Sequence, residues 1–198
     1  LPFLRTLRAN RPNAYIAWII EESFQDLVKG NPDLDEVIPV RTRYWRKNIN
    51  IQSWHEIHQI RKLLKKRQFD WTFDLQGLIK TGFIASMTSA PNRAGFHRSN
   101  CREKINTWFN NQRSKYISTD SHIVDRCLSQ LSILGDFHPQ TEFPLPIGEK
   151  DEIISKAFMV KNSKLTEKPI AGINPGAGFP TKLWSIERYA RLADKLTE

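Results

Sequence analysis

Cysteine is scarce in this sequence. Cys101 and Cys127 are the only two in 198 residues, and they show no metal-ligand spacing. A disulfide framework or a zinc module is therefore excluded, and a reduced cytosolic chain is the simple reading. Long apolar runs are missing as well: no stretch nears the roughly twenty residues that span a bilayer. No signal peptide is visible. Acidic residues are outnumbered, 21 Asp+Glu against 30 Lys+Arg, which leaves a formal charge of +9. That balance argues against a cationic partner. It suits a polyanion: nucleic acid, an anionic membrane surface or a phosphorylated glycan. There is no internal repeat, no low-complexity tract, and no RRM, KH or helix-turn-helix pattern.

What is present is organised around residues 170–196, IAGINPGAGFPTKLWSIERYARLADKL. Ile170, Ala171, Gly172 and Ile173 predict a short buried parallel strand. Asn174 to Pro180 predict a turn. From Trp184 the apolar period turns helical, through Ile186, Tyr189, Ala190, Ala193 and Leu196, with Ser185 as cap. A strand, a glycine loop carrying Lys182 and a helix N-terminus follow in that order. Unpaired N–H groups and the helix dipole favour an anion at such a place. Gly176 and Gly178 let the main chain approach a ligand closely. The chemistry suggested is phosphate or diphosphate binding. The loop is neither a Walker loop nor a G-x-G-x-x-G fingerprint, so those mechanisms do not transfer. Spacing alone favours reading Lys182 as a solvated surface lysine, and the stretch as a whole is what points to a ligand.

Upstream, helix and strand alternate, which predicts an α/β doubly wound domain. Leu1 to Asn10 reads as a helix and Tyr15 to Ile20 as an apolar strand that ends at Glu21-Glu22. Ser23 to Val28 predicts a short helix and Val37 to Val40 a strand. Arg41-Thr42-Arg43-Tyr44-Trp45-Arg46-Lys47 then packs four cations and two aromatics into seven residues. It reads as a basic loop past a strand end, suited to phosphate or carboxylate, although a solvated loop or a single-stranded nucleic-acid contact has the same composition. Ser53 to Arg67 is an amphipathic helix with Trp54, Ile57, Ile60 and Leu64 inward and a basic C-terminal half, which could also rest on anionic lipid headgroups. His55 and His58 on it read as surface histidines. Phe69 to Leu75 is a strand, turned by Gln76-Gly77 into the helix Leu78 to Met87. Asp74 and Gln76 stand at its C-terminal end beside a free helix N-terminus, where they orient sugar hydroxyls or cap the helix. Arg93 to Phe96 is a strand, and His97 to Lys104 a second basic loop. Ile105 to Phe109 is a helical turn. Ser121 to Leu134 is a helix stopped by Gly135. Phe137 to Gly148 has little period, and Glu149 to Val160 is a helix.

Four segments together carry a resemblance: RTRYWRK (41–47), DLQGLIKTG (74–82), HIVDR (122–126) and NPGAGFPTKLW (174–184). In this order and rough spacing they resemble glycosyltransferase family nine, the ADP-heptose:lipopolysaccharide heptosyltransferases, and among these most the enzymes that add the first heptose. The resemblance implies a GT-B fold, two Rossmann-like domains facing across a cleft. Residues 1–160 would be the acceptor-binding N-terminal domain without its first strand, 161–168 a linker, and 169–198 the start of the nucleotide-sugar domain. It implies ADP-heptose as donor, held by Asn174, Gly176, Ala177, Gly178, Thr181 and Lys182. Lys182 and the loop amides would stabilise charge on the leaving diphosphate. Arg41, Arg43, Arg46, Lys47, Asp74, Gln76, Gly77, Lys80 and Arg102 would hold the acceptor, Kdo of the lipid A inner core.

The same resemblance implies a cytoplasmic enzyme, peripheral on the anionic inner face of a Gram-negative inner membrane. No metal, no cofactor and no nucleic acid are expected, because protein cations take the metal's part. The family's general base, an aspartate in a G-D-x-x-x-x-L-P stretch, would lie ahead of Leu1-Pro2. A D-T-G-x-x-H segment that contacts nucleotide and sugar is also absent. The chain therefore reads as a piece cut at both ends and inactive by itself. The alternatives are a family-nine enzyme adding a later core sugar and a non-enzymatic basic module for nucleic acid.

Overall fold

The computed structural model describes residues 1–162 and 170–197. The chain divides into two compact units, Leu1–Pro146 and Ile147–Glu198. The expected linker, from residue 163 on, and Pro169 lie outside the described residues.

The N-terminal unit begins with helix α1, Pro2–Asn10, whose Pro2 sits in the first turn, where no amide donor is needed. Strand β1, Ala17–Glu21, runs parallel to β2, Glu36–Val40, in the register Ala17↔Glu36 to Glu21↔Val40. A 3-10 segment, Glu22–Leu27, and a turn at Gly30 (φ +84°) connect them. A second parallel sheet has the order β3-β4-β5: Trp71–Phe73, Asn92–Gly95 and Gln112–Arg113. Among the described residues, β1 bonds only β2, and β3 only β4, so each sheet shows an unpaired rim at its first strand. Helices α2 (Thr42–Lys47), α3 (Ile51–Lys66), α4 (Ile79–Met87) and α5 (Ile123–Leu128) complete the unit. A 3-10 stretch, Ser129–Leu134, follows α5 and ends at Gly135, whose φ of +104° stops the coil. All strands are parallel, as the alternation of elements predicts.

Two cores hold this unit. Ile38 and Val40 of β2 pack on Leu64 of α3 and on Ile84 and Met87 of α4, ringed by Ile57, Ile60 and Leu63. Phe3 of α1 packs on Leu128 and Leu131, with Phe73 and Leu75 beside it. The Phe3 and Phe73 rings lie 5.3 Å apart, tilted by 59°, a geometry that adds to area burial. Trp54, expected inward, is exposed. The buried stripe of α3 runs back from Leu64, Ile60 and Ile57 to Ser53, whose amide donates to the capping Asn50 side chain.

Asp33-Leu34-Asp35 has the spacing of an Asp-x-Asp metal pair, but each carboxylate faces an arginine. Arg5 Nη1 lies 3.0 Å from Asp33, and Arg8 Nη2 lies 2.6 Å from Asp35. The Ile16 amide donates to Asp35 at 2.7 Å. That amide bond, then Arg8, holds Asp35 below the usual aspartate value. A depressed carboxylate stabilises the fold above its unfolded pKa, about 4, and the contribution fades as pH falls through the lower folded value. Asp35→Asn should therefore lower stability slightly near neutral pH and flatten its fall on the acid side of about pH 4. Urea midpoints across that range check it. The side chain is more than a third exposed, so solvent screening keeps the effect small.

The C-terminal unit holds α6 (Glu149–Lys161), a 3-10 turn (Pro180–Lys182) and α7 (Ile186–Thr197). Helix α6 was expected to close the first domain. By contacts it falls within the unit Ile147–Glu198, and none of its residues is buried. Ile170–Ile173 form no strand. Apolar residues make a strand only where another backbone pairs with them, and no such partner stands among the described residues of this unit.

Candidate functional site

The expected site residues form two groups, one in each unit. In the N-terminal unit the basic stretch 41–47 is helical, not a loop: Arg41 is the N-cap of α2 and the cations sit on its turns. Two carboxylates fix it. Glu21, at the C-terminal end of β1, accepts the Thr42 hydroxyl and, at 3.1 Å, the Arg43 amide. Glu56 of α3 accepts Trp45 Nε1 at 2.8 Å and Arg41 Nη1 at 3.1 Å. The Arg41 guanidinium also lies 3.6 Å from Glu22 and 4.2 Å from the Tyr44 ring. It is committed within the fold. Arg43 leans on Phe24 at 5.2 Å. Arg43, Arg46 and Lys47 are exposed, and among the described residues no carboxylate pairs with them. A rigid base thus presents three open cations.

The second part surrounds the β3–α4 turn. Asp74 is buried. Its Oδ1 accepts the Gln76 and Gly77 amides at 3.0 and 3.1 Å. Its Oδ2 accepts the Thr81 hydroxyl at 2.9 Å and the Asn106 side-chain amide. Every acceptor position of the carboxylate is turned inward. The helix N-terminus beside it is not free: the Ile79 amide donates to Glu103 at 2.6 Å, and Thr81 accepts the Leu78 amide. Gly77 has φ +65°, and a Cβ there would lie 3.2 Å from the Phe96 ring and 3.4 Å from the Arg102 nitrogen. This turn therefore requires glycine, and it seats Arg102 directly over itself. Gln76, Lys80 and Arg102 are exposed around it.

Glu21 and Glu56 support α2, and Glu103, Thr81 and Asn106 support the β3–α4 turn; of these the sequence reading singled out only Glu21, at its strand end. The Leu78-to-Thr81 capping spacing and the carboxylate beside Arg102 were the available signals. His122 caps α5, accepting the Val124 amide at Nδ1.

In the C-terminal unit, Asn174, Gly176, Ala177, Gly178, Thr181 and Lys182 are all exposed. The Gly176 amide donates to the Asn174 side chain at 3.0 Å, which folds the loop back on itself. The 3-10 turn closes through Lys182 N–H to Phe179 O, 3.0 Å, and Leu183 N–H to Pro180 O, 3.1 Å. Lys182 Nζ stands 5.9 Å from the Phe179 ring centroid. Glu187, in the first turn of α7, is held below the usual glutamate value by its own amide and by the Ser185 hydroxyl. Loop amides, a lysine and a helix start thus succeed one another within fourteen residues, 174–187.

Comparison with known proteins places these groups in a family. The model of glycosyltransferase family 9 (heptosyltransferase) matches residues 57–198. Lipopolysaccharide heptosyltransferase 1 of Pseudomonas aeruginosa is 26% identical over the whole chain, which covers 54% of that protein. The chain spans about half the length of the curated relatives it matches. Among solved structures, a family 9 glycosyl transferase from Veillonella parvula DSM 2008 superimposes with a TM-score of 0.76 at 23% identity, over 98% of this chain and 54% of that one. The E. coli heptosyltransferase WaaC with ADP gives 0.70 at 24%, over 100% and 59%. These likenesses show the fold as α/β of the GT-B type.

Proposed function

The chain belongs to glycosyltransferase family 9, the heptosyltransferases, and from that premise we propose that it serves an enzyme of lipopolysaccharide core assembly. The donor in this reading is ADP-heptose. The acceptor is Kdo of lipid A–Kdo2, reached at the cytoplasmic face of an inner membrane. The observation that carries it is the pinned α2 helix with Arg43, Arg46 and Lys47 open, a ready grip for the carboxylates and phosphates of such an acceptor. Lys80 and Arg102 extend that grip, and Gln76 offers an amide to sugar hydroxyls. Arg41 and Asp74 act one step back, by holding the elements that carry the others.

The donor half rests on the loop 174–182. Transfer breaks the bond between the anomeric carbon and the diphosphate, and an acceptor hydroxyl attacks while losing its proton to a base. Negative charge then grows on departing ADP. Lys182 and the amides of Gly176, Ala177 and Gly178 are suited to stabilise it. In this reading the base comes from outside the 198 residues, so the chain alone does not turn over.

The decisive experiment is titration of the chain with ADP. Lys182→Ala is expected to weaken binding about tenfold, the loss of one charge-assisted contact. Lys195→Ala on α7 should leave it unchanged. Equal ADP affinity in Lys182→Ala would overturn the assignment of the donor site, whereas release of ADP from ADP-heptose by this chain with lipid A–Kdo2 would overturn only its expected inactivity.

A further inference from the structure

The connection between α2 and α3 exposes large apolar side chains: Ile49 is 82% exposed, Ile51 89% and Trp54 63%. Local structure explains a part of this. Asn50 caps α3 by accepting the Ser53 amide at 2.9 Å, so Ile49 and Trp54 occupy the positions of a hydrophobic staple. A staple hides its two members against each other, yet these remain open. Ile51, the first residue of the helix, has no part in one. Ile51 and Trp54 are three apart and share a helix face. The exposed face continues through His58 to Lys62 and Lys65.

Along the chain the charge beside this apolar tip has one sign, and the carboxylates that reach α2 from β1 and the segment after it, Glu21 and Glu22, are met by Thr42 with the Arg43 amide and by Arg41. From Val37 to His55 the chain holds Arg41, Arg43, Arg46 and Lys47 and no carboxylate. The next acid, Glu56, is engaged by Arg41 and Trp45. Aliphatic and indole side chains ringed by cations match an anionic bilayer. The apolar groups enter the headgroup–acyl boundary, the indole sits at the interface, and the cations meet lipid phosphates. A single-stranded nucleic acid would use the cations and Trp54, but would leave Ile49 and Ile51 in water.

We propose that the α2–α3 tip is a bilayer-docking surface, with Ile49, Ile51 and Trp54 inserting and Arg46 and Lys47 contacting anionic headgroups. The inference extends the functional reading by naming the surface through which a lipid-held acceptor is approached. Its test needs neither glycolipid nor turnover, so its failure and a failure of ADP binding are told apart.

The 198-residue chain is floated with mixed phosphatidylcholine–phosphatidylglycerol vesicles and with pure phosphatidylcholine vesicles. Binding is expected on the anionic vesicles and little on the neutral ones. Ile51→Asp and Trp54→Asp should each lower the partition about tenfold. Their unfolding midpoints should hold, because both positions are exposed and an acid suits a helix start. Lys47→Ala should lower the partition roughly fivefold. Ile153→Asp on α6, with the same charge change at another exposed isoleucine, should have no effect. Equal losses for Ile153→Asp and Ile51→Asp would reduce the binding to net charge and overturn the proposal. So would full binding by Trp54→Asp, or retention on an oligonucleotide with none on vesicles.

Discussion

Asp74→Ala should cost the N-terminal unit about 3–5 kcal/mol, the range seen when one partner is removed from a buried charged network. The carboxylate accepts from the Gln76 and Gly77 amides, the Thr81 hydroxyl and the Asn106 side chain, all at a site closed to water. Truncation leaves those donors unpaired, and each buried unpaired donor costs about 1–3 kcal/mol. The damage spreads because Gln130, itself fully buried, donates to the Asp74 carbonyl at 2.8 Å and links the turn to Leu128 and Leu131. Urea unfolding of the chain reads the effect. A loss below about 1 kcal/mol, the worth of a single ordinary hydrogen bond, would show that the network is not what holds the turn.

Leu64→Ala should cost about as much, roughly 2–5 kcal/mol, by a different route. Leu64 is completely buried between Ile38 and Val40 of the first sheet and Ile84 and Met87 of α4. Removing its branch leaves a cavity that three elements would have to close together, and their strands and helices are too stiff to collapse into it. Leu64→Met, which nearly conserves volume, should cost under about 1.5 kcal/mol. Thermal melts of the two variants check the contrast. Equal losses would point to shape rather than volume as the cause.

Much of the fold was legible because apolar spacing marks elements directly. The period through Ile57, Ile60 and Leu64 gave α3, and Val37 to Val40 gave most of β2. What spacing misjudged was the phase at an end: the cap at Asn50 turned Trp54 outward. Residues 170–173 read as a strand because local composition cannot show whether another backbone is there to pair. Strand β5 was missed since Gln112 and Arg113 are two polar residues defined only by bonds to β4.

The candidate site was legible by composition and illegible in its division of labour. The seven residues from Arg41 to Lys47 announced positive charge. That Arg41 is tied to Glu22 and Glu56, while Arg43, Arg46 and Lys47 stay open, depends on carboxylates brought from other elements. Asp74 looked like a hand offered to sugar, with capping as the alternative. It is a clasp, and its four bonds show why a strand-end carboxylate cannot be assigned from sequence alone.

The unpaired rims of the two sheets carry a consequence for handling the molecule. On the outer side of β2, Pro39 interrupts the row of donors and blunts recruitment of a foreign strand. Nothing comparable interrupts Ala17-Trp18-Ile19-Ile20 on β1 or Trp71-Thr72-Phe73 on β3, whose free edges pair with no strand among the described residues. Short, uncharged and apolar, these rows are templates for neighbouring copies. Strand-on-strand association of this 198-residue chain is therefore expected to grow with its concentration, and light scattering across a dilution series checks it.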